Sequence, residues 1–194
     1  AEMVFVEYEP LPAVTNIREA EANTVLLFEP AESNTCLRIP PQDPDEGLLA
    51  DCEVVVSGTN ESPRLLALPI EPRATVAEFE DGKLTIWLST QTPHQDKAVL
   101  GGALGLEPEH VRVIAPDVGG GFGGKGLDVE DILMGWLARE TGRTVRWTET
   151  RSEHMVAMHH GRAQEIDFEL GGTRDGKLQA LRLKILQDSG AYPG

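Results

Sequence analysis

Cysteine is scarce: Cys36 and Cys52 are the only two among 194 residues, and neither sits in a CxxC pair or beside a histidine. That excludes a disulfide framework and weighs against a zinc or iron–sulfur ligand set in this segment, leaving two packed or idle thiols. Aromatic residues make up only 5% of the chain, and bases are outnumbered 17 to 32 by acids, for a formal charge of −15. A surface so acidic repels a phosphate backbone, which demotes nucleic-acid binding. No apolar run approaches the roughly 18 residues of a membrane-spanning helix, and the opening Ala1 to Phe5 carries no basic residue of the kind a secretory leader needs. The expectation is a cytoplasmic chain. With 40% hydrophobic residues it has enough apolar matter for a buried core.

The charge is unevenly spread. Residues 1–80 hold sixteen acids and four bases, whereas residues 81–194 hold sixteen and thirteen. Val4 to Tyr8 reads as a strand, halted by Pro10 and Pro12. Pro30, Pro40, Pro41, Pro44 and Gly47 lie among acids, so residues 29–50 read as a linker, or as an extended segment on a larger partner. From residue 51 the pattern becomes regular. Cys52 to Ser57 is a β-branched run, and Arg73–Glu80 with Lys83–Ser89 forms a hairpin about Asp81-Gly82, a pair suited to positive φ. Thr92 as N-cap and Pro93 at the first turn predict a helix through Leu104, with a strand over Val111–Ala115. Val129, Ile132, Leu133, Trp136 and Leu137 recur at helical spacing, closed by Gly142, and Thr144–Trp147 returns as a strand. This succession predicts parallel pairing by right-handed crossovers. A second hairpin, Ala163–Leu170 with Lys177–Gln187, turns at Asp175-Gly176. The expected fold is α+β, a mixed sheet with hairpins and crossover helices over residues 51–194, preceded by a separate piece, 1–28.

Between a strand end and a helix start stands Pro116-Asp117-Val118-Gly119-Gly120-Gly121-Phe122-Gly123-Gly124-Lys125-Gly126. Glycine at this density serves positive φ, close backbone approach, or both, and such a loop can aim several N–H groups at one electron-rich ligand. Gly119 to Lys125 meets the GxxxxGK spacing, but Gly126 replaces the Ser or Thr that would hold Mg²⁺. Gly121, Gly123 and Gly126 meet GxGxxG without an opening βαβ unit or an acid closing the next strand. A tight turn without a ligand stays open as the plain alternative. His154, His159 and His160 lack carboxylates at metal-binding spacing and read as surface or subunit-contact residues, while Trp136 and Trp147 read as core.

The run Val113 to Lys125 resembles the cofactor loop of the molybdenum-binding large subunits of the xanthine dehydrogenase, aldehyde oxidase and carbon monoxide dehydrogenase family. Other segments agree in order. Val6 to Val14 resembles the end of that family's α/β hammerhead domain, and Ile70-Glu71-Pro72-Arg73 the approach to its first molybdopterin-binding domain. Ser89-Thr90-Gln91-Thr92-Pro93-His94 and Asp188-Ser189-Gly190-Ala191-Tyr192 also match. The resemblance implies a hammerhead tail at 1–28, a linker at 29–50 and the first part of a molybdopterin-binding domain at 51–194.

It further implies site residues. The Gln91 amide would hydrogen-bond an oxygen ligand of molybdenum, and the Phe122 N–H would face the same ligand sphere, flanked by Gly120, Gly121 and Gly123, with its ring walling the substrate cavity. No side chain here would ligate the metal directly. Lys125 stays outside the site, solvated or paired with Asp117 or Asp128. Purine-oxidising members carry glutamate where this chain has Gly126, so an aldehyde or another heterocycle is the implied substrate, oxidised with oxygen from water. The general-base glutamate would lie in later segments, and FAD and 2Fe–2S clusters on partner subunits or domains. The chain would thus be a piece of a larger subunit, inactive alone. A truncated scaffold or interaction module with the same fold is the alternative.

Overall fold

A computed structural model describes residues 3, 5–40 and 46–190. Val4, Pro41, Pro44, Ala191 and Tyr192, on which parts of the sequence reading fell, lie outside the described residues. In chain order the elements are α1 (Ile17–Glu21), β1 (Val54–Leu66), β2 (Ala74–Glu80), β3 (Lys83–Leu88), α2 (Pro93–Leu104), β4 (Val111–Ile114), α3 (Val129–Thr141), β5 (Val145–Thr148), α4 (Arg151–Ala157), β6 (His160–Gly172) and β7 (Leu178–Gln187). They divide into two compact units, one of residues 1–64 with 162–194 and one of residues 65–161. The chain thus leaves the first unit and returns to it.

The first unit carries a three-stranded sheet, β1-β6-β7. β6 and β7 pair antiparallel from Gln164↔Gln187 to Gly172↔Leu178, with Gly176 at φ 91° in the turn as the Asp-Gly pair predicts. Phe5, Val6 and Tyr8 are exposed and belong to no strand. The expected strand there is corrected, because a short apolar run without a neighbouring strand to pair with gains nothing from extension. Cys52 packs against Gly171, where a Cβ would come within 3.0 Å of the cysteine Cβ, and Cys36 is exposed and unpaired.

The second unit is a four-stranded mixed sheet in the order β4-β3-β2-β5. The β2–β3 hairpin turns through Asp81 and Gly82 at φ 49° and 75°, the double positive φ of its turn type, and closes on Glu80↔Lys83. Alternation buries Ala77 on β2 and Leu84, Ile86 and Leu88 on β3; Leu100, Val111, Met134 and Ala138 complete that core, so α2 and α3 cover this face. Gly135 lets α3 approach the sheet, since a Cβ there would sit 3.0 Å from Leu104 and 3.3 Å from Leu84. Asp128 and Asp131 form a capping box at the start of α3, and Gly142 at φ 61° ends it.

The parallel expectation needs a correction. β3 and β4 pair parallel, but β5 pairs antiparallel with β2, Thr75 facing Trp147. Since β2 opposes β3, the strands β3, β4 and β5 all run one way, as each strand–helix–strand passage requires. Which strand the returning chain lands beside is a long-range choice, and β5 takes the outer edge of β2. Trp147 packs against the core as expected, whereas Trp136 is 43% exposed on the outer face of α3.

Candidate functional site

The glycine loop joins β4 to α3 inside the second unit. Gly120 and Gly123 adopt φ 93° and 84°, and between them Phe122 holds φ 53°, a left-handed conformation that an aromatic residue occupies at a cost of order 1–3 kcal/mol. Its ring is 77% exposed and folds back toward Gly120, where a Cβ would meet the ring at 2.9 Å and Pro69 at 3.2 Å.

Gln91 emerges just past the end of β3. Its N–H donates to the Lys125 carbonyl at 3.0 Å, and its Oε1 accepts from the N–H groups of Gly123 at 3.0 Å and Lys125 at 3.3 Å. The side chain therefore grips the loop; it does not cap α2. Thr92 stands at the N-cap of α2, but its hydroxyl donates to Asp96 at 2.9 Å and makes no capping bond. Two bonds accepted by Oε1 hold the carboxamide, and Nε2 has no partner among the described residues. The N–H groups of Gly120, Gly121 and Phe122 likewise find no acceptor there, while Gly119, Gly123, Gly124 and Lys125 all do. Four donors from Gln91 and the loop thus have no partner among the described residues. Gly121 has no room for a side chain, because a Cβ would drive into Gln91.

Lys125 contradicts the sequence expectation. It is 1% exposed, and its Nζ pairs with Glu71 Oε2 at 2.7 Å, not with Asp117 or Asp128. The same carboxylate oxygen accepts from the Ser89 hydroxyl at 2.8 Å and from the Gly119 N–H at 2.6 Å. Burial pushes the Glu71 carboxyl up, yet Lys125, Gly119 and Ser89 outweigh it and hold it below its ordinary value.

A second buried network closes the far end of the loop. The Arg73 guanidinium bonds Glu149 through Nε at 3.1 Å and Nη2 at 2.7 Å, pairs with Asp128, reaches Glu130 and lies 5.4 Å from the centre of the Trp147 ring. Burial disfavours its charge, but these carboxylates raise its basicity overall. His154 is fully buried, with Nδ1 2.8 Å from Glu149 and Nε2 3.2 Å from the Ala67 carbonyl oxygen. It is a structural tie, which corrects its reading as a surface residue; His159, 58% exposed beside Asp128, fits that reading better. The Thr150-x-x-Glu153 capping box, with bonds of 3.2 and 2.7 Å, starts α4 and was the local signal that could have placed His154 on a helix. Arg151 on α4 donates from Nη2 to the carbonyls of Pro69 and Ile70 at 2.7 and 2.8 Å.

These carboxylates set an acid limit. Glu71 and Glu149 titrate below their ordinary values, so their contribution is complete above the unfolded carboxylate range near pH ~4.3 and fades as pH falls through the folded values. Asp131, raised mainly by burial, acts with the opposite sign and is relieved by acid. Glu153 and Asp188 are likewise held below their ordinary values, so four depressed carboxylates stand against one raised one and urea midpoints measured from pH 6 to pH 3 should decline; a flat or rising profile would contradict this balance.

The site is thus a glycine loop, gripped by the Gln91 carboxamide, whose Gly120, Gly121 and Phe122 N–H groups have no acceptor among the described residues, set over a two-layer α/β unit. That is the architecture of a cofactor-holding domain. Residues 27–194 match the molybdopterin cofactor-binding domain family, and the chain belongs to it. It is 32% identical over 99% of its length to the 6-hydroxypseudooxynicotine dehydrogenase complex subunit gamma of Paenarthrobacter nicotinovorans, covering 24% of that protein. It is 30% identical over 98% of its length to the carbon monoxide dehydrogenase large chain of Hydrogenophaga pseudoflava, covering 26%. The crystal structure of quinoline 2-oxidoreductase from Pseudomonas putida 86 superposes with a TM-score of 0.84 at 32% identity, across 98% of this chain and 25% of that one. The chain therefore spans about a quarter of the length of these relatives.

The residues fit molybdopterin. The loop offers main-chain hydrogen-bond donors of the kind that an oxygen-rich cofactor accepts. Gly126 is not enforced by crowding, since a Cβ there would meet only the Thr92 hydroxyl at 3.8 Å. No helix among the described residues is long and apolar enough to cross a membrane.

Proposed function

We propose that this chain supplies the molybdenum-facing loop of a molybdenum hydroxylase-type oxidoreductase, which oxidises a carbon centre of an aldehyde or a non-purine heterocycle with water as the oxygen source. The carrying observation is a set of four donors without a partner among the described residues: the N–H groups of Gly120, Gly121 and Phe122, and Gln91 Nε2. When bound, the cofactor supplies two-electron redox chemistry. The chain's own part is positional. Gln91 Nε2 would offer the cofactor a neutral donor that does not titrate, the Phe122 N–H would add a second, and the glycines would permit the approach. The exposed Phe122 ring walls the substrate side. Residues 1–28 form a hammerhead tail, 29–50 a linker and 51–194 the first part of the cofactor domain.

The general base and most pterin contacts would come from other segments, and electrons would leave through 2Fe–2S and FAD modules. Relatives named as a complex subunit and as a large chain support such partners. Metal analysis with pterin fluorescence on the purified full-length protein should find molybdenum and pterin in near-equal amounts, and Gln91→Leu should lower both turnover and cofactor retention. A full-length protein that folds, is supplied with cofactor and retains neither would instead mark an inactive scaffold.

A further inference from the structure

We infer that Glu71 and Lys125 form a positioning clamp that sets the curvature of the glycine loop, and with it the aim of the Phe122 N–H at the cofactor. This rests on the proposed function for its second half only. The geometry is specific. A single carboxylate oxygen of Glu71 receives the N–H of Gly119 at the start of the loop, at 2.6 Å, and the ammonium of Lys125 at its end, at 2.7 Å, while Ser89 steadies it from the end of β3 at 2.8 Å. The backbone repeats the tie, Glu71 N–H donating to the Gly119 carbonyl at 3.4 Å. Both ends of the segment 119–125 are thereby drawn to one atom, and the five residues between must bulge away from it.

That bulge is where the strained Phe122 and the unpartnered amides lie. Gln91 also grips the loop, through Gly123 and Lys125, so the segment is held by two side chains that flank the open end of the β2–β3 hairpin. A hairpin is rigid, and whatever the clamp fixes is fixed relative to Gln91. The lysine has no other role within the described residues: it is buried, it pairs only with Glu71, and it cannot reach solvent. A glycine-rich loop left to itself samples many conformations, and Phe122 would relax from positive φ. The clamp holds that conformation before any ligand arrives.

Removing Glu71 alone leaves the buried Lys125 charge uncompensated and risks misfolding, so the informative variant is the double substitution Glu71→Gln/Lys125→Met. Hydrogen exchange on the cofactor-free full-length protein should show the amides of Gly123 and Gly124 exchanging at least about tenfold faster in the double variant. Those amides bond to Gln91 and to Gly121, not to Glu71, so a merely local loss would not reach them. Amides of β2 and β3 should keep parental rates. In protein loaded with molybdopterin, the Mo(V) electron paramagnetic resonance signal should split into several species where the parent gives one. Unchanged exchange at Gly123 and Gly124 in a folded double variant would overturn the clamp, and so would faster exchange with an unaltered Mo(V) signal. If the parent never takes up molybdenum while the double variant still exchanges faster, the clamp stands as a loop device and the cofactor reading fails.

Discussion

An Arg73→Met variant is expected to lose about 3–5 kcal/mol of unfolding free energy, the cost of leaving a buried carboxylate without its cation. Arg73 is 3% exposed and its partner Glu149 fully enclosed, so water cannot replace the missing guanidinium. Glu149 would keep the Arg73 backbone N–H at 3.2 Å and the His154 ring at 2.8 Å, both on Oε2, neither of which replaces the two guanidinium donors on Oε1. Asp128, the N-cap of α3, would lose its main counter-charge at the point where the glycine loop enters the helix. Arg73→Lys should recover only part of the loss, because an ammonium makes one directed contact where the guanidinium makes several and also stacks on Trp147. Urea unfolding of the single variant and of Arg73→Met/Glu149→Met gives the test. The double variant should be more stable than Arg73→Met alone, and a double variant destabilised by the sum of both singles would show that the two side chains are not coupled.

The parts of this architecture that sequence made legible are those written in a few adjacent residues. Asp81-Gly82 and Asp175-Gly176 announce their turns because only certain residues tolerate positive φ, and Gly142 ends α3 for the same reason. The Ser-Thr-Gln and glycine motifs were legible as chemistry, and Gln91 and the loop do meet. What escaped is long-range. Glu71 and Lys125 are 54 positions apart and Arg73 and Glu149 are 76, so nothing local marks either as a pair. Lys125 was set aside because lysines in loops are usually solvated, a rule that fails once a carboxylate, a hydroxyl and a main-chain amide converge beneath the loop. The placement of β5 beside β2, and of β6 and β7 in a different unit, likewise depends on which partner strand is free. His154 carried a local signal, the capping box of α4, but its burial follows from Glu149 and Ala67 arriving from elsewhere.

The loop itself separates crowding from backbone strain through two of its glycines. Gly121→Val places a side chain where the Gln91 carboxamide already stands, with Cγ of Gln91 2.7 Å from the new Cβ. Either the carboxamide swings out, losing its bonds to Gly123 and Lys125, or the loop shifts and Phe122 moves with it. Two main-chain bonds at about 1 kcal/mol each are at stake, enough to lower molybdopterin retention by about tenfold or more. Because the residue lies in a loop and outside the apolar core, unfolding stability should fall by only about 1–3 kcal/mol. Gly123→Ala is the control. A Cβ there meets nothing within 4 Å, and the substitution is opposed only by the φ of 84°, so it should cost stability of similar size while leaving Gln91 in place. Molybdenum and pterin content should therefore collapse in Gly121→Val and survive in Gly123→Ala. Equal losses in the two would mean that flexible backbone alone is what the cofactor needs here, and the oriented Gln91 amide would then have no part in holding it.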